Sequence, residues 1–450
     1  MQPLHSDETR IHAVLVKLMA GENLTRAELH AVFEEMRSRP STVQMTAFMT
    51  ALEMKGPTAD EQSALNEFVR NWTNEAPHTE GEAPRAGTTK TECLDADLFV
   101  AKVMMANGED LSRREAEHAM EQILSGKAHQ NVIAAFLTAL KFKGETVDEL
   151  VGFATAMRRH ATPIFSAPRP PDEVIVDTCG TGGDASGTFN VSTAAAFVVA
   201  GAGVHVAKHG NRSISSRCGS ADVLEQLGVK IDMAPERVGR AIEEVGIGFL
   251  FAPAVHAATR HAMPVRRELK FRTAFNLLGP LTNPANAKAQ VVGVYERGAT
   301  ELLARALAEL GVKRAFVVHG AEGLDEISLA GETFVAELRD GLVRQFTIAP
   351  EDFGLARAPL EAILGGDARQ NAEIIHKILG RSLLYREHGP HRDIVLANSA
   401  AALVAAGRAS DFLDGVRLAA HSIDSGAARE RLEALVEFSQ GESQQGKSAT

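Results

Sequence analysis

A strand, a glycine loop and a helix start follow one another between residues 174 and 199, and this succession constrains the fold more than any other part of the chain. Val174-Ile175-Val176-Asp177 is an apolar strand candidate, Gly180-Thr181-Gly182-Gly183-Asp184 is a tight loop, and Asn190-Val191-Ser192-Thr193 offers hydroxyls to cap the Ala-rich run from Ala194 to Val199. Such an arrangement aims backbone N–H groups and a helix N-terminus at one point, which attracts anions and phosphates above all. Glycine permits positive φ there and lets a ligand approach the backbone with no Cβ in between. Ligand-free turns use the same glycines, so the loop alone does not decide. No Gly-Lys-Ser/Thr follows it, as a Walker loop requires, and no Gly-x-Gly-x-x-Gly opens the helix, as a dinucleotide site requires.

A second loop of the same kind follows the strand candidate Val204-His205-Val206-Ala207. It runs Lys208, His209, Gly210, Asn211, Arg212, Ser213, Ile214, Ser215, Ser216, Arg217, Cys218, Gly219, with Ser220 placed to cap a helix from Ala221 to Leu227 that Gly228 would end. Cationic and hydroxyl-rich, it suits a second phosphate, with Lys208 as a point charge and the serines as donors. A solvated turn is the alternative. A third segment, Gly323-Leu324-Asp325-Glu326-Ile327-Ser328, lies just beyond the strand candidate 315–320. Adjacent carboxylates past a strand end suit Mg²⁺, which typically bridges one or two carboxylates to substrate phosphates. Such pairs are also found simply solvated.

Together these segments resemble the anthranilate phosphoribosyltransferase family. The matching text is GTGGD (180–184), GTFNVST (187–193), KHGNRSISSRCGSADVLEQLG (208–228), PVRRELKFRTAFNLLGPLTNPAN (264–286), VKRAFVVHG (312–320), GLDEISLAGET (323–333) and GGDARQNA (365–372). The match runs from about residue 93 to 440 in family order. It implies an α/β fold: a small N-terminal helical domain plus a larger α/β domain with a mostly parallel central sheet, of the nucleoside phosphorylase/phosphoribosyltransferase type. It also implies transfer of the 5-phosphoribosyl group from phosphoribosyl pyrophosphate to the amine of anthranilate, the second step of tryptophan synthesis. Carried over residue by residue, Gly180, Gly183, Asp184, Thr188, Asn190, Val191, Ser192 and Thr193 form the phosphoribosyl pyrophosphate cradle. Lys208, His209, Gly210, Asn211, Arg212, Ser213, Ile214, Ser215, Ser216 and Ser220 complete it. Gly180, Asn211 and Arg266 fall on the anthranilate positions, Ser192, Asp325 and Glu326 on the Mg²⁺ ligands, and Lys208 is the expected catalytic side chain.

The chemistry agrees with those roles. As pyrophosphate departs, the sugar gains oxocarbenium character and the leaving group gathers negative charge, so Mg²⁺, Lys208 and loop N–H groups stabilise the transition state more than the ground state. An aromatic amine is already neutral at pH 7 and needs no strong base, while Arg266 suits a carboxylate. His209 reads as a packing or orienting residue. The chain departs from the family pattern where Ala185 and Lys270 replace usual glycines and where Cys218 replaces a small polar residue.

The largest departure lies upstream. Gly21-Glu22-Asn23-Leu24-Thr25-Arg26-Ala27-Glu28 echoes Gly108-Glu109-Asp110-Leu111-Ser112-Arg113-Arg114-Glu115, and Ala47 to Gly56 echoes Ala135 to Gly144. The offsets are 87 (108 − 21) and 88 (135 − 47), and the capping boxes Thr25/Glu28 and Thr58/Glu61 recur as Ser112/Glu115 and Thr146/Glu149. We therefore expect a duplicated helical unit: an extra copy at 1–73, a flexible Pro/Gly-rich linker at 74–92, the family's own helical domain at 93–163, the α/β catalytic domain at 164–440 and a disordered tail at 441–450. The extra copy reads either as a redundant module or as a regulatory or docking module. The Pro-rich stretch 163–171 reads as a hinge, and Arg339-Asp340-Gly341 as the turn of an antiparallel hairpin within 334–348.

The balance of 58 acidic against 47 basic residues, net −11, argues against nonspecific nucleic-acid binding. Three cysteines give no disulfide framework, and no apolar run reaches membrane-spanning length. We expect a cytoplasmic enzyme that binds small molecules, neither nucleic acid nor membrane, and assembles as a homodimer. Two alternatives are a nucleoside phosphorylase-like enzyme, which would not need the acidic pair, or transfer to a different aromatic acceptor. A non-catalytic binding relative should have lost the glycine loop or the acidic pair, and this chain keeps both.

Overall fold

The computed structural model describes residues 9–75, 108–167, 169–170, 173–184, 186–213, 217–380 and 389–441. Most of the expected linker, residues 93–107, Ala185, the Ile214–Ser216 part of the second loop and residues 442–450 lie outside the described residues. The chain divides into two compact units, one of residues up to Ala156 plus Ala258–Phe275, the other of Met157–Ala257 plus Asn276 onward. The helical unit therefore reclaims a segment, 258–275, from inside the expected catalytic domain.

In the helical unit, α1 (Arg10–Met19), α2 (Arg26–Ser38), α3 (Thr42–Lys55) and α4 (Ala59–Glu75) form the first copy, and α4 continues to Glu75, two residues into the expected linker. The second copy contains α5 (Arg113–Leu124), α6 (Gln130–Lys143) and α7 (Val147–His160). All four expected capping boxes form, Thr25 with Glu28, Thr58 with Glu61, Ser112 with Glu115 and Thr146 with Glu149.

Each copy is built on one buried polar knot. Glu61 is fully buried and accepts from Leu24 N (2.7 Å), Thr58 N (2.7 Å) and Lys55 Nζ (2.8 Å). Glu149, equally buried, accepts from Leu111 N, Thr146 N and Lys143 Nζ, each at 2.9 Å. A buried carboxylate persists only when its lone pairs are filled this way. Burial alone would raise the pKa of Glu61, yet the Leu24 amide, Lys55 and Thr58 hold it below the usual glutamate range. The equivalent Phe48 and Phe136 each make an edge-to-face aromatic pair within their own copy, with Phe33 and Phe153 from non-equivalent helices. The equivalent helices α3 and α6 pack along each other, and Ala47, Phe48 and Ala51 of one and Ala135, Phe136 and Ala139 of the other are all buried.

The second unit holds a seven-stranded sheet in the order β3-β2-β1-β4-β5-β6-β7. Its strands are β1 (Ile175–Gly180), β2 (His205–Gly210), β3 (Ile247–Phe251), β4 (Ala289–Gly293), β5 (Arg314–Gly320), β6 (Thr333–Arg339) and β7 (Leu342–Ile348). The first five pair in parallel, and β6 and β7 run antiparallel. The β-branched, almost wholly buried parallel strands match a sheet covered on its faces. The β6–β7 hairpin turns at Asp340 (φ 49°) and Gly341 (φ 85°), two consecutive positive-φ residues as a tight hairpin of the primed type demands. Helices α8 (Val191–Gly201), α9 (Ser220–Gln226) and α10 (Pro235–Val245) follow β1 and β2 in the chain, α11 (Ala252–Val255), α12 (Met263–Leu269) and α13 (Ala274–Leu278) come between β3 and β4, and α14 (Gly298–Glu309) connects β4 to β5. After the hairpin come α15 (Ala368–Leu379), α16 (Pro390–Ala405), α17 (Phe412–Asp424) and α18 (Ala427–Gln440), of which α16 and α18 pack against α8.

Strand order decides where a site can form. From β1 the chain adds β2 and β3 on one side, then returns to add β4 and β5 on the other. At such a reversal the loops beyond the carboxyl ends of the strands diverge and leave a crevice. The glycine loop leaves β1, the Lys208-containing strand end leads into the second loop after β2, and the acidic turn follows β5.

Candidate active site

The glycine loop takes the conformation its composition requires, with Gly182 at φ 67° and Gly183 at φ 79°. It is pinned below by Thr181 N to Gly293 O (2.9 Å) and folds toward the acidic turn, so that Gly182 N donates to Asp325 Oδ2 (3.1 Å). Asp184 belongs to the same cluster, because its Oδ2 accepts from Asp325 N (3.4 Å). Gly180 and Gly293 make this approach possible. A Cβ on Gly293 would sit 1.5 Å from Asp325 O, and one on Gly180 would sit 2.9 Å from Asp325 Oδ2.

Ser192 links the acidic turn to the second loop. Its N–H donates to Glu326 Oε1 (3.1 Å), and its hydroxyl accepts from Lys208 Nζ (3.2 Å), which also donates to Thr178 O. Neither Ser192 nor Thr193 caps the helix as expected. Helix α8 starts three residues before the expected Ala194, at Val191, with Asn190 at the N-cap position but no side-chain cap. Ser192 is thus free to present its oxygen to the site, and its amide, one of the orphan donors of the first turn, is satisfied by a carboxylate.

Ser220 does not cap α9 either. It is the first helical residue, and Asp222 accepts from Gly219 N (2.9 Å) and Ser213 N (3.1 Å) instead. The Ser220 hydroxyl accepts from Asn211 N and donates to Asn211 O (3.2 Å each), which closes the second loop on itself. Gly210 allows this closure, since a Cβ there would lie 2.1 Å from Ser220 Oγ.

Other expected residues are committed locally. Arg212 pairs with Asp222 (3.0 Å) and Glu225 (2.6 Å), so its charge is already neutralised. Asn190 bonds Cys218 O and Asn371, tying the start of α8 to α15. Thr188 forms an isolated bridge with Leu364, and the Thr193 hydroxyl is buried.

The electrostatics of this cluster is dominated by confinement. Burial, then the charges of Asp184 and Glu326, push the Asp325 carboxyl well above the usual carboxylate range. Burial also pushes Glu326 up, against the pull of Lys208 and the Ser192 amide. Burial lowers the Lys208 ammonium, with Asp177, Cys179, Glu326 and Asp325 pulling it back. Like-charged carboxylates recessed together are stabilised by a cation, and an all-oxygen donor set of carboxylates and hydroxyl suits a hard one. Among the described residues no three His, Cys, Asp or Glu side chains are disposed to hold a metal ion by themselves. Two recessed carboxylates beside a hydroxyl are a donor set that Mg²⁺ fits, since it keeps several waters and takes few protein carboxylates.

Two residues that the sequence reading did not single out support the site from beneath. Asp177, fully buried on β1, accepts from His209 N (3.1 Å) and from Asn283 Nδ2 (2.7 Å), which also donates to Ala207 O. This knot fixes the β1–β2 ends that carry both loops. A buried acid inside a strand otherwise read as apolar was the available signal. His209 donates from Nδ1 to Gly279 O (3.0 Å), and burial lowers its pKa, favouring the neutral ring.

Arg266 lies in the helical unit, on the helix Met263–Leu269 (α12). Its guanidinium stacks over Phe275 with its carbon 5.1 Å from the ring centre, and burial lowers its pKa to about 10. A half-buried cation held by an aromatic face is suited to an anionic ligand. Just beyond it, Lys270 ends the helix at φ 57° and ψ 8°, the left-handed conformation that favours glycine. The family's usual glycine at this place therefore has a backbone reason.

Comparison with known proteins identifies the family. A model of the glycosyl transferase family α/β domain matches residues 172–429, and one of the glycosyl transferase family helical bundle domain matches twice, at 12–71 and 104–161. Anthranilate phosphoribosyltransferase of Solibacter usitatus is 58% identical over 328 residues, which cover 73% of this chain and 94% of that protein. The enzyme of Symbiobacterium thermophilum is 56% identical over 334 residues, covering 74% and 95%. Among solved structures, the Thermus thermophilus enzyme superposes with a TM-score of 0.70 at 44% identity, over 77% of this chain and 99% of that one. The Saccharomyces cerevisiae enzyme in complex with PRPP and Mg superposes with a TM-score of 0.69 at 28% identity, over 79% and 99%. With this identity over nearly the whole length of such relatives, the chain belongs to the anthranilate phosphoribosyltransferase family.

Proposed function

We infer that this enzyme transfers the 5-phosphoribosyl group of phosphoribosyl pyrophosphate to the amine of anthranilate, releasing pyrophosphate, as the second step of tryptophan synthesis. The observation that carries the reading is the convergence of Asp184, Asp325, Glu326, Ser192 and Lys208 beneath a positive-φ glycine loop. In this reading the amides and hydroxyls of the two loops hold the donor's phosphates. Gly180, Gly183, Asp184, Thr188, Asn190 to Thr193, Lys208 to Ser216 and Ser220 are the residues assigned to that task. Ser192, Asp325 and Glu326 hold Mg²⁺, which when bound supplies positive charge to the departing pyrophosphate. Lys208 fixes the Ser192 hydroxyl and offsets the acidic cluster from within the sheet. Gly180, Asn211 and Arg266 receive anthranilate, with Arg266 taking the carboxylate. Its amine lone pair forms the new C–N bond as the C–O bond to pyrophosphate breaks, and the spare proton leaves to water. Positioning and electrostatics supply the rate.

A cytoplasmic location and a homodimer go with this reading and rest on the resemblance; among the described residues no helix is long and apolar enough to cross a membrane. The test is to follow anthranilate fluorescence with phosphoribosyl pyrophosphate, with and without Mg²⁺. Consumption that needs both donor and metal supports the assignment, and a protein with no affinity for the donor in the presence of Mg²⁺ refutes it.

A further inference from the structure

Within the helical unit, α12 touches both copies, packing against α3 of the first and α6 of the second. Its polar ties to the first copy are specific. The Ser41 hydroxyl donates to the Glu268 carboxylate, and Gln44 Nε2 donates to Glu268 O (3.2 Å). The same Ser41 oxygen accepts from Gln44 N (3.1 Å) as the N-cap of α3, so one hydroxyl starts a helix of the extra copy and anchors α12. Glu268 lies two residues after Arg266 in a helix of seven residues that ends in a strained left-handed Lys270. So short a helix holds its shape through tertiary contacts and not through its own hydrogen bonds. Among the described residues the second copy shows no equivalent pair, and its α6 N-cap is His129, whose ring accepts from Asn131 N.

We propose that the extra N-terminal copy is a brace for the acceptor-binding helix, in which Ser41 and Gln44 are positioning residues that hold Glu268 and thereby the direction of Arg266. The proposal rests on the reading of Arg266 as the carboxylate ligand of anthranilate. It replaces the view of the first copy as a redundant module: residues on α3 would set affinity for the acceptor while leaving the donor site alone. A guanidinium that must meet a carboxylate in a bidentate geometry tolerates little tilt of its helix, so losing the anchor should appear first in acceptor KM.

The experiment compares Ser41→Ala with Gln44→Ala combined, Ser41→Thr alone, and Arg266→Ala, in the full-length enzyme. The double variant should raise the KM for anthranilate roughly three- to tenfold, the range expected for losing charge-assisted positioning bonds, with donor KM within about twofold of the parent. Ser41→Thr, which keeps the hydroxyl, should restore the parent value. Hydrogen exchange of the 263–270 segment should quicken in the double variant and stay at the parent rate in Ser41→Thr. Unchanged exchange in that segment, or an acceptor KM that does not move while Arg266→Ala raises it, overturns the brace. Faster exchange with an acceptor KM that neither the double variant nor Arg266→Ala alters keeps the brace and sinks the reading of Arg266.

Discussion

Gly293 is the position at which one added carbon should dismantle the acidic turn. It ends β4, between the glycine loop on β1 and the turn that follows β5. A Cβ there would lie 1.5 Å from Asp325 O, 2.5 Å from its carbonyl carbon and 3.2 Å from its Cα. All three are backbone atoms, so no rotamer relieves the clash. Bringing the oxygen to the 3.0 Å that real Cβ contacts respect requires a displacement of about 1.5 Å. Overpacking of this kind costs about 1–3 kcal/mol of stability, which a domain of this size survives. The Gly182–Asp325 bond at 3.1 Å and the Asp325–Asp184 bond at 3.4 Å cannot survive it. Misplacement by about 1 Å costs on the order of 100-fold in rate, so Gly293→Ala should lose at least that in kcat and need more Mg²⁺ for half-activation. The assay is anthranilate fluorescence against Mg²⁺ concentration, paired with a thermal melt to show that the protein is folded. A folded Gly293→Ala with parental kcat and Mg²⁺ response would show that the acidic turn is not where the metal acts.

Asp325→Asn combined with Glu326→Gln keeps the shape of the turn and removes its charge, and should cut Mg²⁺-dependent turnover by roughly 100-fold or more, read in the same assay. Arg266→Ala should raise the KM for anthranilate about tenfold or more with little change for the donor, as lost charge-assisted bonds predict, read from initial rates with each substrate varied in turn. Lys270→Gly removes a left-handed non-glycine residue and should stabilise the protein by about 0.5–1 kcal/mol in denaturant unfolding. Acid should destabilise the α/β unit through His209 and His256, whose rings lie 5.1 Å apart and are both lowered by burial, His256 from 6.5 to about 3. The folded state then binds fewer protons than the unfolded one, so stability is fully present above about pH 6.5 and drains away as pH falls below it, for His256 down to about pH 3 and by on the order of 1.4 kcal/mol per pH unit. Melting temperatures from pH 8 to 5 test this, and a His256→Gln variant should show a flatter curve.

The sequence by itself determined the local features whose cause lies within a few residues. Glycines at 182 and 183 demanded a positive-φ loop, Asp340-Gly341 a tight hairpin, and the spacing of Thr25/Glu28 and Ser112/Glu115 two capping boxes in a repeated unit, and each is present. Motif text carried the family, because runs such as 180–193 and 208–228 hold many residue types in fixed order. Only the tertiary structure decided the rest. Ser192 and Ser220 read as caps because a local rule prefers serine there, but Glu326, 134 residues on, and Lys208 on the neighbouring strand drew the groups of Ser192, while Asn211 across its own loop drew those of Ser220. Asp177 and Asn283 meet across 106 residues, and Asp184 joins Asp325 across 141. The return of 258–275 to the helical unit, and with it the contact of Ser41 and Gln44 with Glu268, has no local signal. Short-range periodicity and capping report the energy of neighbours in sequence, whereas a buried polar contact is paid for by atoms that only folding brings together.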